Sequence, residues 1–246
     1  MPTLLYRDVG LVKGTQFDSW RRVGSAMQAV KVYNLREVDE LVFLDIRASI
    51  DGRGPDLTTV DELADECFMP LTVGGGVRTT DDVGALLGVG ADKVSINSAA
   101  VQNPRLVQDA AQQYGSQCIV VSIDARRQAD GSYVAFTHAG TRSAGVDPVQ
   151  VARQAEALGA GEILITSIDH DGVMDGYDVE LIRQVAEAVQ IPVIASGGAG
   201  TYDHMVAALR DGQASAVAAA SMFHYTHQTP LEAKRFLGEH GFAVRH

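Results

Sequence analysis

Thr72-Val73-Gly74-Gly75-Gly76-Val77 is a glycine-rich stretch that recurs later in the chain as Ala195-Ser196-Gly197-Gly198-Ala199-Gly200. In both copies an apolar run leads into glycines. A second apolar run follows and ends in small residues, Asn97-Ser98 in the first copy and Ala220-Ser221 in the second. The same offset of 123 positions separates the two glycine runs and the two small-residue ends. This equal spacing indicates two similar halves.

Apolar, β-rich runs occur eight times along the chain, and each is continuously apolar, as is typical of parallel strands buried on both faces. Helical stretches lie between them, with start signals such as Thr79 and Asp147-Pro148. The alternation predicts one (β/α)8 barrel over residues 1–246, made of two half-barrels. An open doubly wound sheet is the alternative, and both the count of eight and the repeat argue against it. The predicted strands are Thr3–Tyr6, Glu40–Ile46, Pro70–Val73, Lys93–Ile96, Cys118–Ile123, Glu162–Thr166, Pro192–Ala195 and Ser215–Ala219.

Composition narrows the class of protein. The chain has 246 residues, a size typical of one such barrel, and a formal net charge of −11, which argues against nucleic acid or an anionic membrane as partner. The N-terminal residues do not resemble a signal peptide, and no apolar run is long enough to span a membrane. Cys67 and Cys118 lack metal-ligand spacing and are interpreted as reduced thiols. We expect a cytoplasmic protein without metal or cofactor.

Two loops are longer than the others. After Asp124, the Asp130-Gly131 pair predicts a short β-hairpin over the barrel mouth. The first loop, residues 9–22, carries Lys13 and Trp20. Long loops after barrel strands usually serve the active site. The first strand is expected to be short, since only six residues precede Arg7.

Candidate functional residues lie where the predicted strands end, because barrel enzymes bind their ligands there. Asp45 and Asp124 follow apolar runs and are candidate general acids or bases, with a helix N-cap as the alternative for each. Lys13 is a candidate contact for a substrate anion, or else a solvated surface lysine. Two phosphate sites are predicted, because glycine lets a backbone approach an anion; the alternative is tight turns that bind nothing. The first anion cradle is Gly76, Asn97 and Ser98, and the second is Asp171, Gly172, Gly198, Ala220 and Ser221.

The chain resembles the cyclase subunit of imidazole glycerol phosphate synthase over nearly its whole length. The resemblance lies in Val12–Phe17, Asp39–Ile46, Thr72–Val77, Gly90–Asn97, Gly159–Leu164, Thr166–Asp171 and Ala195–Gly200. The related sugar-isomerase barrel of histidine synthesis is less similar, because the segment Gly172–Asp178 follows the cyclase pattern.

The resemblance implies an activity and a partner. Such cyclases take ammonia from a separate glutaminase subunit, pass it through the barrel core and react it with a substrate that carries two phosphates. Asp124 matches one of their two acid-base aspartates, and Lys13 matches a first-loop lysine that contacts substrate. Residues Asp92, Lys93 and Gln117 match the glutaminase-docking face, and Glu40, Lys93 and Glu162 match a charged gate at the ammonia entrance.

The sequence departs from this family at strand 1. The other acid-base aspartate aligns with Leu5, which cannot transfer a proton, and the gate arginine would precede Met1. The segments Val23–Glu40 and Glu66–Leu71 and the pair Leu4-Leu5 resemble a divergent branch that installs an amidino group on surface-polysaccharide sugars. We therefore expect a specialised, ammonia-using synthase subunit. The alternatives are an ordinary cyclase of histidine synthesis, with Asp8 or water replacing the lost acid, and a non-catalytic activator of a glutaminase.

Overall fold

The structure is a computed structural model that describes residues 1–8 and 10–245. Its strands are β1 (Thr3–Arg7), β2 (Gly10–Thr15), β3 (Asp18–Gly24), β4 (Leu41–Asp45), β5 (Leu71–Gly74), β6 (Lys93–Ile96), β7 (Ile119–Arg127), β8 (Tyr133–Thr137), β9 (Arg142–Ser143), β10 (Glu162–Ser167), β11 (Val193–Ser196) and β12 (Ala216–Val217). Its helices are α1 (Ala26–Leu35), α2 (Ala48–Asp51), α3 (Leu57–Glu66), α4 (Thr80–Gly88), α5 (Ser98–Gln102), α6 (Arg105–Tyr114), α7 (Pro148–Ala157), α8 (Val179–Ala186), α9 (Tyr202–Arg210), α10 (Ser221–Tyr225) and α11 (Pro230–Glu239), with a 3-10 turn at Ser116–Cys118.

Eight of these strands form a parallel sheet in the order β1, β4, β5, β6, β7, β10, β11, β12. The sheet curls until its two edges meet. Thr3 N–H donates to the Ala219 carbonyl, and Ala219 N–H donates to the Met1 carbonyl, both at 2.9 Å. The predicted α/β barrel is therefore confirmed, with each predicted strand within a few residues of its observed position. Among the described residues, no helix is both long and apolar enough to cross a membrane.

The buried apolar runs build two layers. Side chains that point into the barrel form a small cluster of Val42, Val120, Leu164, Ile194 and Ala218. Side chains on the opposite face of each strand pack against the helices in a much larger cluster. Continuous apolar runs serve both layers, which explains why the strands lack alternation.

The two halves match in detail. Helices α4 and α9 both begin with a capping box, built by Thr79 with Asp82 and by Thr201 with His204. Helices α5 and α10 both have five residues and follow caps of similar, unusual backbone geometry, with φ −112° and ψ −82° at Asn97 and φ −127° and ψ −68° at Ala220. The repeat seen in the sequence is thus a repeat in the structure.

The glycine runs have a packing role of their own. Gly75 and Gly198 have φ of 111° and 108°, which side-chain-bearing residues rarely adopt. A Cβ atom at Gly75 would lie 2.3 Å from the Asp45 carbonyl oxygen, and one at Gly198 would overlap the Gly176 carbonyl. Each glycine therefore lets its turn touch the neighbouring strand-to-helix loop, a reason distinct from the ligand approach that the sequence suggested.

We expect Gly75→Ala to destabilise the fold by about 2 kcal/mol, because the left-handed backbone alone costs an alanine about 1–2 kcal/mol. Gly88→Ala is the control, since Gly88 lies in helix α4 with nothing within 4 Å of an added Cβ. That control should stabilise the helix by up to about 1 kcal/mol. Urea denaturation of both variants measures the difference, and equal midpoints would contradict this assignment.

Both long loops form hairpins. The predicted hairpin after Asp124 is confirmed, with β8 antiparallel to β7 and Asp124 opposite Phe136. The first loop also forms a hairpin, β2 with β3, that the sequence did not reveal. It is called the first hairpin below, and the one after Asp124 is called the second hairpin. The turn of the first hairpin uses Gln16 and Phe17 at φ of 53° and 61°, without a glycine. The absence of turn-type residues explains why this hairpin was missed.

Candidate active site

One pocket lies at the carboxyl ends of the barrel strands. It is lined by every barrel strand or the loop after it, and also by the first hairpin. The sequence analysis considered several of its lining residues for catalysis or ligand binding: Leu5, Lys13, Asp45, Asn97, Asp124, Asp171 and Ser221. The barrel thus brings together side chains from both ends of the chain.

Asp124 is the pocket residue best suited to proton transfer. It lies on β7 where that strand leaves the barrel, with apolar neighbours Ile123 and Ala125 fully buried beside it. Burial of the carboxyl and the charge of Asp171 raise its pKa to about 7, against a hydrogen bond from Asn97 that lowers it. A carboxyl with this pKa can both take and give a proton near neutrality.

Lys13 and Asp171 form a buried ion pair. Lys13 Nζ lies 2.8 Å from both carboxylate oxygens of Asp171, and the two residues are only 2% and 7% exposed. The expectation of a solvated surface lysine is therefore wrong. Asp171, predicted in the second anion cradle, accepts from Lys13 with both carboxylate oxygens, and an ionised carboxylate has no proton to donate, so its side chain cannot bind an anion.

The first hairpin is held across the mouth by further contacts to the loop after β10. Gln16 N–H donates to the Asp171 carbonyl at 2.7 Å, and Gln16 Nε2 donates to the Asp169 carbonyl at 2.9 Å. A Cβ at Gly172 would overlap the Gly14 carbonyl, so glycine is needed for the hairpin to approach this closely. Strands β11 and β12 lie between these anchor points in the sheet order, beneath the hairpin.

Asp45 is engaged by the protein itself. Its Oδ1 accepts from the backbone N–H of Arg47 and Ala48 at 2.9 and 3.1 Å, and its carboxylate pairs with Arg53, Nη1 lying 2.6 Å from Oδ2. Asp45 is not the helix N-cap considered above, because Arg47 is the N-cap of α2; Asp45 instead makes hydrogen bonds to the loop that leads into this helix. Its carboxylate charge is therefore neutralised beside the pocket.

Leu5 occupies the strand-1 position of the pocket. It pairs in register with Leu44 on β4 and Val12 on β2, so its surroundings are apolar. Asp8 does not reach the pocket. Its side chain is 70% exposed and lies 3.6 Å from the Arg7 guanidinium.

The predicted anion cradles differ in their free polar groups. In the first, the side chains of Asn97 and Ser98 are hydrogen-bonded within the protein, and Gly76 packs against Arg53 and Gly54. In the second, the Ser221 hydroxyl is buried, faces the pocket and has no hydrogen-bond partner among the described residues. Buried polar groups nearly always have a partner, so this hydroxyl is free to bond a group that enters the pocket.

Charged residues meet at the opposite end of the barrel. Lys93 Nζ, at the start of β6, lies 2.9 Å from Glu40 and 2.7 Å from Glu162. Burial alone would lower the pKa of Lys93, but the two glutamates outweigh it and raise that pKa. Asp92 accepts from Leu71 N–H at 2.8 Å and Gln117 is exposed, so neither belongs to this cluster.

Sequence reasoning did not assign the aromatic wall of the pocket, Phe17 and Trp20. Trp20 lies against Gly14, where an added Cβ would be 2.9 Å from the indole. Phe17 packs beside Gly140 of the second hairpin, so the two hairpins meet over the mouth. Two aromatic residues on an unusually long first loop were the available signal.

A model of the family described as "Histidine biosynthesis protein" matches residues 6–229 of the chain. That range includes every barrel strand from the end of β1 through β12, both hairpins and all of the pocket residues numbered above 5. Members of this family are usually enzymes of histidine biosynthesis that act on small phosphorylated substrates. The chain belongs to the histidine biosynthesis protein family of barrel enzymes.

Proposed function

We propose that the chain is a synthase subunit that combines ammonia from a partner glutaminase with a phosphorylated, sugar-derived substrate. It resembles the cyclase subunit of imidazole glycerol phosphate synthase but acts outside the histidine pathway. The branch that forms amidino sugars of surface polysaccharides is the proposed setting.

The proposal that the chain acts outside the histidine pathway rests on Leu5. The aligned cyclases use an aspartate there, opposite the one matched by Asp124. Leu5 faces the pocket between Val12 and Leu44, and Asp8 is solvent-exposed on the outside of the mouth. One half of the acid-base pair is therefore replaced by an apolar side chain, Asp8 does not substitute for it, and the neighbouring Asp45 is paired with Arg53. Losing such a group typically costs about 10² to 10⁴ in rate, which disfavours the ordinary cyclase reaction.

A phosphorylated substrate is supported by the small-residue turns of both cradles. The unpartnered Ser221 hydroxyl offers a donor, and the first N–H groups of a helix such as α10 have no partner within it. Lys13 lies at the same side of the pocket, where its charge is balanced by Asp171. These features favour an anion close to β12.

Ammonia entry at the amino end of the barrel is supported by the Lys93 cluster. Its three charges close one end of the barrel, with Val42, Val120 and Leu164 as the next layer above them. The three side chains of this cluster remain partly exposed, so a docked partner can reach them and rearrange the ion pairs. A docked glutaminase would act on this gate.

Asp124 is the proposed acid-base group. With one buried carboxyl of pKa about 7, the pocket can deprotonate incoming ammonium or an attacking amine and return the proton to a leaving group. Leu5, Phe17 and Trp20 add apolar surface to the same pocket.

The test is complementation of a histidine auxotroph that lacks the cyclase subunit. We expect no rescue by this chain at an expression level, measured by immunoblot, at which an authentic cyclase restores growth. Purified chain given the bisphosphate substrate and ammonium salts should turn over at least about 10²-fold more slowly than that cyclase. Robust growth, or turnover within tenfold of the authentic enzyme, would contradict the specialisation.

The alternative, a non-catalytic activator of a glutaminase, is tested separately. In a cell extract supplied with the cognate glutaminase, Asp124→Asn should abolish product formation while glutamine hydrolysis continues. An unchanged product output would favour an activator without chemistry of its own.

A further inference from the structure

The side-chain amide of Asn97 is fully engaged inside the protein. Its Nδ2 donates to Asp124 Oδ2 and to the Ser122 carbonyl, both at 3.1 Å, and its Oδ1 accepts from Ser98 Oγ at 3.4 Å. An amide nitrogen has two N–H donors, so both are used. The Asn97 side chain therefore has no donor left for a phosphate.

Ser98 extends this set of contacts to the second hairpin. Its Oγ accepts from the backbone N–H of His138 at 2.9 Å while donating to Asn97. His138 lies just after β8 with φ of 53°, and its ring Nδ1 is 3.0 Å from Thr137 Oγ1. A continuous hydrogen-bonded path thus leads from the turn after β8 through Ser98 and Asn97 to the Asp124 carboxyl.

We infer that Asn97 and Ser98 are positioning residues, which orient the Asp124 carboxyl through their side chains and tie it to the turn after β8 at His138. This differs from a role of these side chains as phosphate ligands. It rests on the proposed function only in taking Asp124 as the group that transfers the proton. The backbone of the turn remains free to approach an anion.

Comparison of the two half-barrels supports a positioning role for the side chains of Asn97 and Ser98. Ala220 occupies the position of Asn97 in the second half, with a similar unusual backbone geometry. Its methyl side chain cannot form a hydrogen bond that orients a carboxyl group. Its neighbour Ser221 has a free hydroxyl, whereas the hydroxyl of Ser98 is bonded on both sides. An amide is thus present only in the half that contains Asp124.

The charges around Asp124 define what loss of Asn97 would do. Asp171, on the loop after β10, raises the Asp124 pKa and is itself paired with Lys13 of β2. The Asn97 hydrogen bond stabilises the ionised carboxylate and lowers that pKa. Removing the amide should therefore move the titration of Asp124 to higher pH.

The experiment titrates the Asp124 carboxyl directly in the full chain, without substrate. Carboxyl carbon NMR of 13C-aspartate-labelled protein follows the signal, which Asp124→Asn identifies by its loss. We expect Asn97→Ala to raise the Asp124 titration midpoint by about one pH unit, the size of one hydrogen bond to a charged group. Ser98→Ala should shift it in the same direction by less, and Ser98→Thr should restore the wild-type midpoint.

Binding of inorganic phosphate, measured by calorimetry on the same samples, separates the two roles. A positioning role predicts that Asn97→Ala changes phosphate affinity less than twofold. An unmoved Asp124 midpoint, with or without weaker phosphate binding, overturns the inference. Ser98→Ala keeps the test valid if Asn97→Ala fails to fold, because a hydroxyl deletion leaves the amide in place. None of these readouts depends on turnover, so failure of the proposed function leaves them interpretable.

Discussion

Asp124→Asn should lower ammonia-dependent turnover by a factor of about 10² to 10⁴, because the variant retains the shape of the carboxyl but cannot transfer a proton. Steady-state kinetics with the proposed glutaminase–synthase pair and its substrate measures this as a fall in kcat with little change in KM. Asp130→Asn is the matched control, since Asp130 lies on the same hairpin but bonds only to the neighbouring Ser132. A loss below tenfold would contradict the assignment of Asp124.

The same substitution should make the protein more stable at alkaline pH. The pKa of the Asp124 carboxyl is about 7 in the folded chain and near 3.8 when unfolded. Between these values the folded state binds more protons than the unfolded state, so stability falls as pH rises through the window. Asn cannot ionise and escapes this loss.

The free energy of unfolding of Asp124→Asn should exceed that of the wild type by about 2 kcal/mol at pH 8. The full pKa shift corresponds to about 4 kcal/mol, but the carboxyl faces a solvent-accessible pocket, which screens its charge. Most of the gain should be lost near pH 4, where the folded carboxyl is neutral and the unfolded one is only partly ionised. Thermal unfolding at the two pH values measures the difference. A gain of equal size at pH 4 would show that ionisation is not its cause.

Lys13→Met should destabilise the fold by about 3–5 kcal/mol, the usual cost of leaving one partner of a buried ion pair uncompensated. The Lys13 ammonium is almost completely buried and bonds both oxygens of Asp171. Its loss should also free the first hairpin from the loop after β10. Urea denaturation at pH 8 measures the stability.

Two comparisons identify the origin of that loss. Lys13→Met combined with Asp171→Asn should regain most of the stability, since no unpaired charge remains. Lys31→Met removes an exposed pair with Glu66, at 3.3 Å, and should cost below about 1 kcal/mol. If Lys13→Met is no more harmful than Lys31→Met, the pair is not a structural anchor.

The barrel could be predicted from local patterns alone. Each strand is a short apolar run followed by a turn signal, and the 123-residue offset made the two halves recognisable. The second hairpin was also predictable, because Asp130-Gly131 is a turn pair with a known geometry. The first hairpin was not, because Gln16 and Phe17 adopt left-handed backbone without any residue type that signals it.

The candidate site was predictable in position but not in the pairing of its side chains. Asp45, Asp124, Lys13 and Asp171 all line the pocket, as their places after strands implied. Yet Asp45 is neutralised by Arg53, whereas Asp124 has no cation among its hydrogen-bond partners. Two aspartates that look alike in sequence thus differ in charge balance, and this difference arises from contacts between loops.

The sequence by itself determined the strand order, the twofold repeat, the small-residue turns and the apolar Leu5, because these depend on residue type and spacing. Only the tertiary structure decided which polar groups meet. Lys13 and Asp171 are 158 positions apart, and closure of the sheet brings them within 2.8 Å. The pKa of Asp124 likewise depends on burial and on neighbours from other strands. Electrostatic energies depend on distance in space and on exclusion of water, and neither is encoded in local sequence.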